Sequence, residues 1–393
     1  MPANALATRP ARLPAPPASA RLLTAALALS ICGSACSRSP SPQTQPPAPS
    51  QASPVAPAPP DDAAAPTTQA PPQDQAEAPP AADAPVAGDA PASEDAAPAP
   101  APPPRAAAAD ASLPKDSLLR AQVLLERAFF SPGEIDGEEG SNQARALTAY
   151  QKAHDLDPSG KLDEATWRAL DADAAPILID YAITEADTAG PFRETPKDNM
   201  AKAELDALPY ASIEEALGER FHASPDLLRK LNPQADFTRA GTVIAVPNVA
   251  AAAQLPSPER VVVRKALSAL QLVDAEGKVY AQYPVTTGSA QFPLPIGTWK
   301  INGVGRDPVW HFDPKLIAGT KKTDRKAVIP AGPNNPVGTT WIDLSKEHYG
   351  IHGTAEPSRI GKTESNGCIR MTNWSVEAVS RVVKPGMQAL LEP

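Results

Sequence analysis

Aromatic residues and cysteines are scarce in this chain of 393 residues. Phe, Trp and Tyr make up 5% of it and there are 3 cysteines, whereas 49 residues are proline. So few large apolar side chains cannot build a core along the whole length, so the folded part must be shorter than the chain. Because Cys32 and Cys36 lie near the N-terminus, Cys368 is the single cysteine left for the folded part.

A run of about 20 apolar residues, long enough to span a bilayer, is missing at the N-terminus. The first 38 residues instead combine four arginines and no acid with the shorter apolar run LLTAALALSIC, which starts at Leu22. This pattern predicts a signal for export over residues 1–36. Two routes stay open, cleavage after Ala35 or lipid attachment to Cys36. We therefore expect a periplasmic or envelope protein whose only link to a membrane would be a lipid at Cys36.

Leucine, isoleucine and aromatic residues are absent from residues 39–112, where 21 prolines stand among many alanines. Such a composition cannot offset the entropy lost on folding, and it predicts a disordered Pro/Ala-rich linker over residues 37–112. The chain as a whole has a net charge of −9, but its C-terminal part is basic. Residues 259–393 carry 12 acidic and 17 basic residues. This basic piece would favour anionic substrates, while scattered bases and export argue against nucleic acid as a partner.

Residues 113–175 show a helical pattern broken by two turns. Apolar residues recur near a period of 3.6 after Ser117 and again over residues 142–154, and Asp163 is a predicted N-cap of a third helix. The stretches QVLL (122–125), PGEIDG (132–137), ALTAYQ (146–151) and GKLDEATWRAL (160–170) stand in the order found in the peptidoglycan-binding domain of cell-wall enzymes, which this region resembles. The resemblance implies a small three-helix bundle that binds peptidoglycan, with a helical spacer that has lost its ligand as the alternative.

Residues 205–250 contain two amphipathic helical stretches, an Asn-Pro turn and the β-branched run TVIAVP. The pattern indicates a small α+β unit of βααβ type whose first strand is hard to recognise. Its LNP and AGTVIAVP stretches resemble a LysM domain, which implies a second glycan-binding module. A copy with a purely structural role is the alternative.

Residues 259–393 change to strand periodicity, with an Asp274–Gly277 hairpin and many short runs that end at Gly or Pro. Such spacing predicts a mainly-β domain, either a sandwich or barrel-like. The stretch IHGTAEPSRIGKTESNGCIRM (351–371) stands out within it. A cysteine in an exported protein is either a small buried hydrophobe or a nucleophile.

The residues around Cys368 favour the nucleophile. A thiol attacks carbonyls as the thiolate and needs a base, for which His352 is the candidate, across a loop rich in Gly and Pro. Gly367 allows close approach of a substrate, and the amides of Gly367 and Cys368 could donate to an oxyanion. Arg370, two residues on, would lie on the same side of a strand and offer a cation for a substrate carboxylate.

These residues closely resemble the signature of the L,D-transpeptidase catalytic domain of YkuD type. HGT (352–354) and SNGCIRM (365–371) are preceded by PIGTW (295–299) and NPVG (335–338), four motifs in order. The resemblance implies Cys368 as nucleophile and His352 as general base and acid, oriented by the backbone carbonyl of Gly353. Ser365 would support the loop, and the substrate would contact the three residues Thr354, Asn366 and Arg370. Asn366 stands where many members have a second histidine, so no titrating group is expected there.

The implied reaction is acyl transfer on peptidoglycan. Cys368 would attack the third residue of a stem peptide, release the terminal D-Ala and form a thioester. An amine of another stem peptide would then give a 3-3 crosslink, an envelope protein's lysine a covalent link, and water a trimmed tripeptide. A carboxypeptidase or hydrolase using the same cysteine and a non-catalytic wall-binding scaffold are the alternatives. We expect no cofactor and no metal, because His352 and Cys368 lack two further zinc ligands at plausible spacing.

Overall fold

A computed structural model describes residues 105–393 except 252 and 318. The predicted export signal and lipid attachment site over residues 1–36, and the linker as far as residue 104, lie outside the described residues. The last residues of the predicted linker, 105–112, are described by the structure. Ala106 forms a β-bridge with Ile179, and Asp110 Oδ1 accepts hydrogen bonds from the amides of Ile177 and Leu178, both at 2.8 Å. Residues 105–112 therefore belong to the folded region, which corrects the predicted linker boundary at 112.

The first helices form the predicted three-helix bundle. They are α1 (Leu118–Arg127), α2 (Ser141–Ala153) and α3 (Glu164–Leu170). Asp163 caps α3 as expected, since its carboxylate accepts from the amide of Thr166. Leu124, Leu125 and Leu147 are buried between the helices. The helical spacing of the apolar residues therefore predicted this part correctly.

A two-stranded unit follows the bundle. Its elements are β1 (Leu178–Ala182), α4 (Glu185–Thr188), α5 (Asn199–Lys202), α6 (Ile213–Arg220), α7 (Pro225–Leu231) and β2 (Val243–Pro247). The two strands pair antiparallel, with Leu178 opposite Pro247 and Ala182 opposite Val243. The first strand thus lies before residue 205, outside the predicted bounds of the LysM-like module. It escaped the sequence analysis because some 30 residues separate it from α6.

The remaining elements form the predicted mainly-β domain around one sheet. They are β3 (Arg260–Arg264), β4 (Ala269–Val273), β5 (Val279–Pro284), β6 (Gly297–Arg306), β7 (Trp310–Phe312), β8 (Ala327–Ile329), β9 (Thr340–Leu344), β10 (Gly350–His352), β11 (Ile369–Arg370), α8 (Asn373–Val382) and β12 (Gln388–Glu392). The eight-stranded sheet has the order β11-β10-β9-β6-β12-β3-β4-β5, and β7 and β8 form a separate hairpin. Val376 and Val379 of α8 belong to its core.

The sheet curls until its two ends meet. Thr286, just after β5, exchanges both backbone hydrogen bonds with Arg370 of β11, at 3.0 and 2.9 Å. Of the two predicted architectures, the barrel-like one is therefore closer to the structure than the sandwich. The closure also joins the segment after β5 to the strand that follows Cys368.

The bundle and the two-stranded unit both contact the rest of the described chain through backbone hydrogen bonds. Gln282 of β5 donates to Phe129 O and accepts from Ser131 N, both at 2.8 Å, so the segment after α1 continues the sheet beyond β5. Ile135 N donates to His222 O at 2.8 Å. The described residues accordingly fall in one compact unit. Over this part of the chain, no helix is long and apolar enough to cross a membrane.

Candidate active site

An open cavity of about 660 Å³ lies at the β10–β11 end of the sheet. His352, Asn366, Cys368 and Arg370 line it together with residues of the β7–β8 hairpin and of α5. The structure therefore brings four of the predicted site residues to one cavity.

Strand pairing sets the positions of these side chains. β10 and β11 are parallel with His352 beside Arg370, while Ile351 beside Ile369 faces the core. Side chains alternate along a strand, so Cys368 and Arg370 lie on the face opposite Ile369. On the other side of β10, the ring of Trp341 stacks on His352 with centroids 5.2 Å apart and an interplanar angle of 13°.

The imidazole of His352 is buried, with 3% of the residue exposed. Its Nδ1 lies 2.7 Å from Gly353 O. A carbonyl oxygen only accepts, so Nδ1 carries the proton and Nε2 keeps its lone pair. Burial, and then the charge of Arg370, lower the pKa of His352 to about 3, although hydrogen bonds with the backbone of Gly353 and Val337 oppose the shift. At neutral pH the ring is an uncharged acceptor.

The thiol of Cys368 is half-buried beside the cavity. Its Sγ donates to His348 O at 3.6 Å. Burial raises the pKa of the thiol, and a backbone hydrogen bond with Gly350 and the charge of Arg370 act in the opposite direction. Both partners of the predicted pair are therefore neutral, and attack by the sulfur requires a base that takes its proton.

Hydrogen bonds fasten the loop before Cys368. Ser365 Oγ donates to Cys368 O at 2.6 Å and accepts from Gly367 N at 3.2 Å. Ser365 N donates to Thr287 O at 2.9 Å, which ties the loop to the segment after β5. Ser365 therefore connects the residues around Cys368 to the segment after β5. The amide of Gly367, predicted as an oxyanion donor, already donates to Ser365.

Gly367, directly before Cys368, requires the absence of a side chain. Its φ is +110°, and an added Cβ would lie 2.9 Å from Cε1 of Tyr349. L-amino acids with a Cβ rarely adopt this conformation. Cys368 thus follows a turn that only glycine fits without displacing Tyr349.

Arg370 and Thr354 differ in their access to the cavity. Nε of Arg370 is buried and has no hydrogen-bond partner among the described residues, and the residue lines the main cavity. Thr354 lines a separate cavity of about 50 Å³ instead. Its Oγ1 accepts from Glu356 N at 3.1 Å. Thr354 is therefore not part of the lining of the main cavity, and its hydroxyl shapes the loop after His352.

The sequence analysis missed Asn373, whose side chain joins distant loops. Its Oδ1 accepts from Thr339 N at 3.2 Å and Thr354 N at 3.1 Å, and its Nδ2 lies 3.3 Å from both Glu219 Oε1 and Pro333 O. An added Cβ on Gly353 would lie 2.1 Å from Asn373 Oδ1. The amide thus holds the HGT loop against the NPVG loop. Only its position at the start of α8 could have drawn attention to it from the sequence.

Clusters that could hold a metal ion are not found in the part of the chain that the structure describes. No group of three or more His, Cys, Asp or Glu side chains is close enough there.

Comparison with known proteins adds to this geometry. The family model of the L,D-transpeptidase catalytic domain matches residues 258–390, and that of the "Putative peptidoglycan binding domain" matches residues 115–170. Residues 171–257 lie between the two matches. A protein of Bacillus subtilis named "Putative L,D-transpeptidase YkuD" is 30% identical over 176 residues, which cover 44% of this chain and 88% of that protein. Its counterpart in Bacillus licheniformis is 29% identical over 185 residues, 46% of this chain and 93% of that protein.

Among solved structures, the L,D-transpeptidase of Xylanimonas cellulosilytica DSM 15894 is 18% identical, with a TM-score of 0.32, and the match covers 75% of this chain and 99% of that one. The sequence relatives decide the classification. This chain belongs to the L,D-transpeptidase family, and it carries a peptidoglycan-binding domain ahead of the catalytic domain.

Proposed function

We propose that this protein is an L,D-transpeptidase that transfers peptidoglycan stem peptides through a thioester on Cys368. The observation that carries the proposal is the position of His352 next to Arg370 on β10 and β11, in one cavity with Cys368. The hydrogen bond from Nδ1 to Gly353 O leaves Nε2 as the base. A neutral thiol and a neutral imidazole are the forms from which such a reaction starts.

The first half of the reaction forms the acyl-enzyme. Sγ of Cys368 attacks the carbonyl carbon of the third stem residue while Nε2 of His352 takes the thiol proton. The amide of Cys368 donates to the oxyanion. As the C–N bond to the terminal D-Ala breaks, the imidazolium returns the proton to the leaving amine, which departs as free D-Ala.

The second half transfers the acyl group. An acceptor amine attacks the thioester, His352 takes a proton from it, and the C–S bond breaks as the proton returns to the sulfur. With a stem-peptide amine the product is a 3-3 crosslink, and with a lysine of an envelope protein it is a covalent link. Water in place of the amine would give a tripeptide.

The modules ahead of the catalytic domain fit the same substrate. The bundle belongs to a peptidoglycan-binding family. We extend the proposal to the two-stranded unit, as a LysM-like module that binds glycan at the loop between α7 and β2. That loop lines a cavity of about 480 Å³ with the polar residues Asn232, Asp236 and Arg239. The enzyme would work in the cell envelope, either free or attached through a lipid at Cys36.

Intact-protein mass spectrometry with a disaccharide-tetrapeptide tests the reaction. The full chain is expected to gain the mass of the disaccharide-tripeptide acyl group and to release D-Ala. Cys368→Ala is expected to abolish the adduct, and His352→Asn to slow its formation by at least about a thousandfold, because both groups act as a unit. His348→Asn, which changes another histidine lining the cavity, serves as the matched control and is expected to retain the adduct.

The released muropeptides separate the alternatives. Crosslinked dimers from the native chain support transpeptidation. Tripeptide without dimers would indicate a carboxypeptidase or hydrolase that uses the same cysteine. Absence of both the adduct and any product would favour a wall-binding scaffold.

A further inference from the structure

The residues between β1 and α6, 183–212, form a segment that packs on the catalytic domain; we call it the inserted segment. Leu208 is fully buried in a cluster with Phe312 and Ile329 of the β7–β8 hairpin. Leu208 N donates to Ala331 O at 3.0 Å, and Leu208 O accepts from Asn334 N at 3.1 Å. An apolar anchor with both backbone groups paired fixes the segment against the hairpin.

This packing brings α5, in the middle of the inserted segment, to the catalytic cavity. Asn199 and Lys202 line the cavity together with Cys368. Asp198 caps α5, since its Oδ1 accepts from the amides of Met200 at 2.9 Å and Ala201 at 3.1 Å. The other carboxylate oxygen of Asp198 pairs with Lys321, close to the hairpin. One wall of the cavity therefore comes from residues that neither matched domain contains.

The ammonium of Lys202 has no carboxylate within 4.0 Å over residues 105–393, leaving aside 252 and 318. Its hydrogen-bond partner is Asn199 Oδ1, at the long distance of 3.5 Å. The acids whose charges act on it have other partners: Asp198 pairs with Lys321, and Glu356 lies 3.0 Å from Arg359. Burial lowers the pKa of Lys202. A half-buried cation at a cavity wall with no counter-ion favours an anionic ligand.

The other charges of the cavity point the same way. Arg370 is a second cation in the cavity lining, and Asp313 is the acidic residue in that lining. Asp313 is neutralised by Lys326, at 2.8 Å. A ligand with more than one carboxylate would therefore find two separate cations, one on β11 and one on α5.

We infer that Lys202 binds a carboxylate of the acyl-donor stem peptide, other than the one that leaves with D-Ala, and so contributes to substrate choice from outside the catalytic domain. The inference rests on the proposed function for the nature of the ligand. The inference can be tested separately from the proposed function, because binding of the peptide can be measured without turnover.

The test is the dissociation constant of a disaccharide-tetrapeptide for the full chain carrying Cys368→Ala. Adding Lys202→Met, which keeps the side-chain length and removes the charge, is expected to weaken binding about tenfold, a usual cost for losing one charge-assisted contact. Lys202→Arg is expected to restore binding to within about twofold. Lys197→Met, at an exposed lysine of the same segment, controls for net charge and should leave binding unchanged.

A second ligand tests whether Lys202 acts on a carboxylate. This ligand is a tetrapeptide whose carboxylates are amidated, except that of the terminal D-Ala. It is expected to bind the Lys202 chain weakly and to show no further loss with Lys202→Met. An equal loss on free and amidated peptides, an unchanged constant for Lys202→Met or the absence of saturable binding would overturn the inference. Binding that depends on Lys202 in a native chain that forms no thioester would instead refute the proposed function and keep the inference.

Discussion

The neutral imidazole of His352 carries a cost in stability that depends on pH. The unfolded ring has an ordinary pKa of 6.5, whereas the pKa in the fold is about 3. Between these values the unfolded chain binds a proton that the folded chain does not. The contribution of His352 to the free energy of unfolding is therefore highest above pH 6.5 and falls as the pH falls toward 3.

We expect His352→Asn to remove this dependence. Between pH 6.5 and 4 the native chain should lose stability relative to the variant by up to about 1.4 kcal/mol per pH unit. Chemical denaturation of both chains across this range measures the difference. Parallel stability curves would contradict the lowered pKa.

Gly367 is the second residue whose environment matters for the site, because its backbone conformation sets the position of Cys368. Gly367→Ala is expected to cost about 1–3 kcal/mol of stability, because φ is +110° and the new Cβ meets Tyr349. Formation of the acyl-enzyme should fall at least about tenfold, since misplacing a reacting group by a fraction of an ångström is enough. Thermal denaturation measures the loss of stability, and the time course of the intact mass measures the acylation rate. Gly303→Ala, where an added Cβ meets nothing within 4 Å, is expected to change the acylation rate little.

Sequence motifs predicted residues whose partners are close along the chain. Ser365 and Cys368 interact across three positions, and His352 bonds to the next residue. Asn373 was missed because its partners are brought to it by one helix and two loops that are distant along the chain, as the span from Glu219 to Thr354 shows. Lys202 was missed for the same reason, since tertiary contacts such as those of Leu208 and Asp198 bring α5 to the cavity.

At the scale of elements, helix α2 of the bundle holds the loop between β10 and β11. Asn142 Nδ2 donates to Ile360 O at 2.8 Å, and Arg145 Nη2 donates to Gly361 O at 2.9 Å. Gly361 packs so closely that an added Cβ would lie 2.3 Å from Asn142 Oδ1. The three-helix bundle thus fixes the loop that leads to Cys368.

Asn142→Ala is expected to destabilise the chain by about 1–3 kcal/mol, because it leaves a buried carbonyl without its donor. Hydrogen exchange should become faster in residues 357–367 than elsewhere, and the acylation rate should fall. Ser141→Ala, at an exposed position of the same helix, is the matched control. Equal exchange in this loop in both variants would show that α2 does not hold it.

Helix α6 contacts α8 through Glu219, which lies 3.3 Å from Nδ2 of Asn373. Burial raises the pKa of Glu219 to about 8 from an ordinary 4.5. The folded chain then keeps a proton that the unfolded chain releases, so unfolding becomes easier as the pH rises from 4.5 to 8. Glu219→Gln should remove this loss. Denaturation at pH 5 and pH 9 tests it, with Glu204→Gln, at an exposed site, expected to behave as the native chain.

At the scale of the whole described region, the order of the modules was predicted and their packing was not. Composition and periodicity predicted a bundle, a small α+β unit and a β-rich domain in this order, but the α+β unit begins at β1, before the predicted residue 205. The contacts between them are backbone bridges, such as Phe130 with Gln282 and Ile135 with Ala223, single polar groups, and apolar contacts such as those of Leu208. Such contacts leave no pattern in the sequence. The first strand of the two-stranded unit was missed because its partner is more than 60 residues away.

A chain that starts at residue 258 is expected to be less stable than the full chain. It would lose the backbone bridge to β5 and the hydrogen bonds from α2 to residues 360 and 361. Losing about 2 kcal/mol would lower the midpoint of thermal unfolding by at least about 5 °C in a domain of this size. Calorimetry of both chains measures it, and an unchanged midpoint would mean that the catalytic domain is energetically independent of the modules before it.

The bridge from Phe130 to Gln282 and the closure from Thr286 to Arg370 occupy the outer side of β5 with backbone from the same chain. An uncovered outer strand offers its amides and carbonyls to strands of other molecules, which is a common start of aggregation. Proteolysis that released the helical bundle would uncover part of β5, and the remaining catalytic domain would then tend to self-associate through that strand.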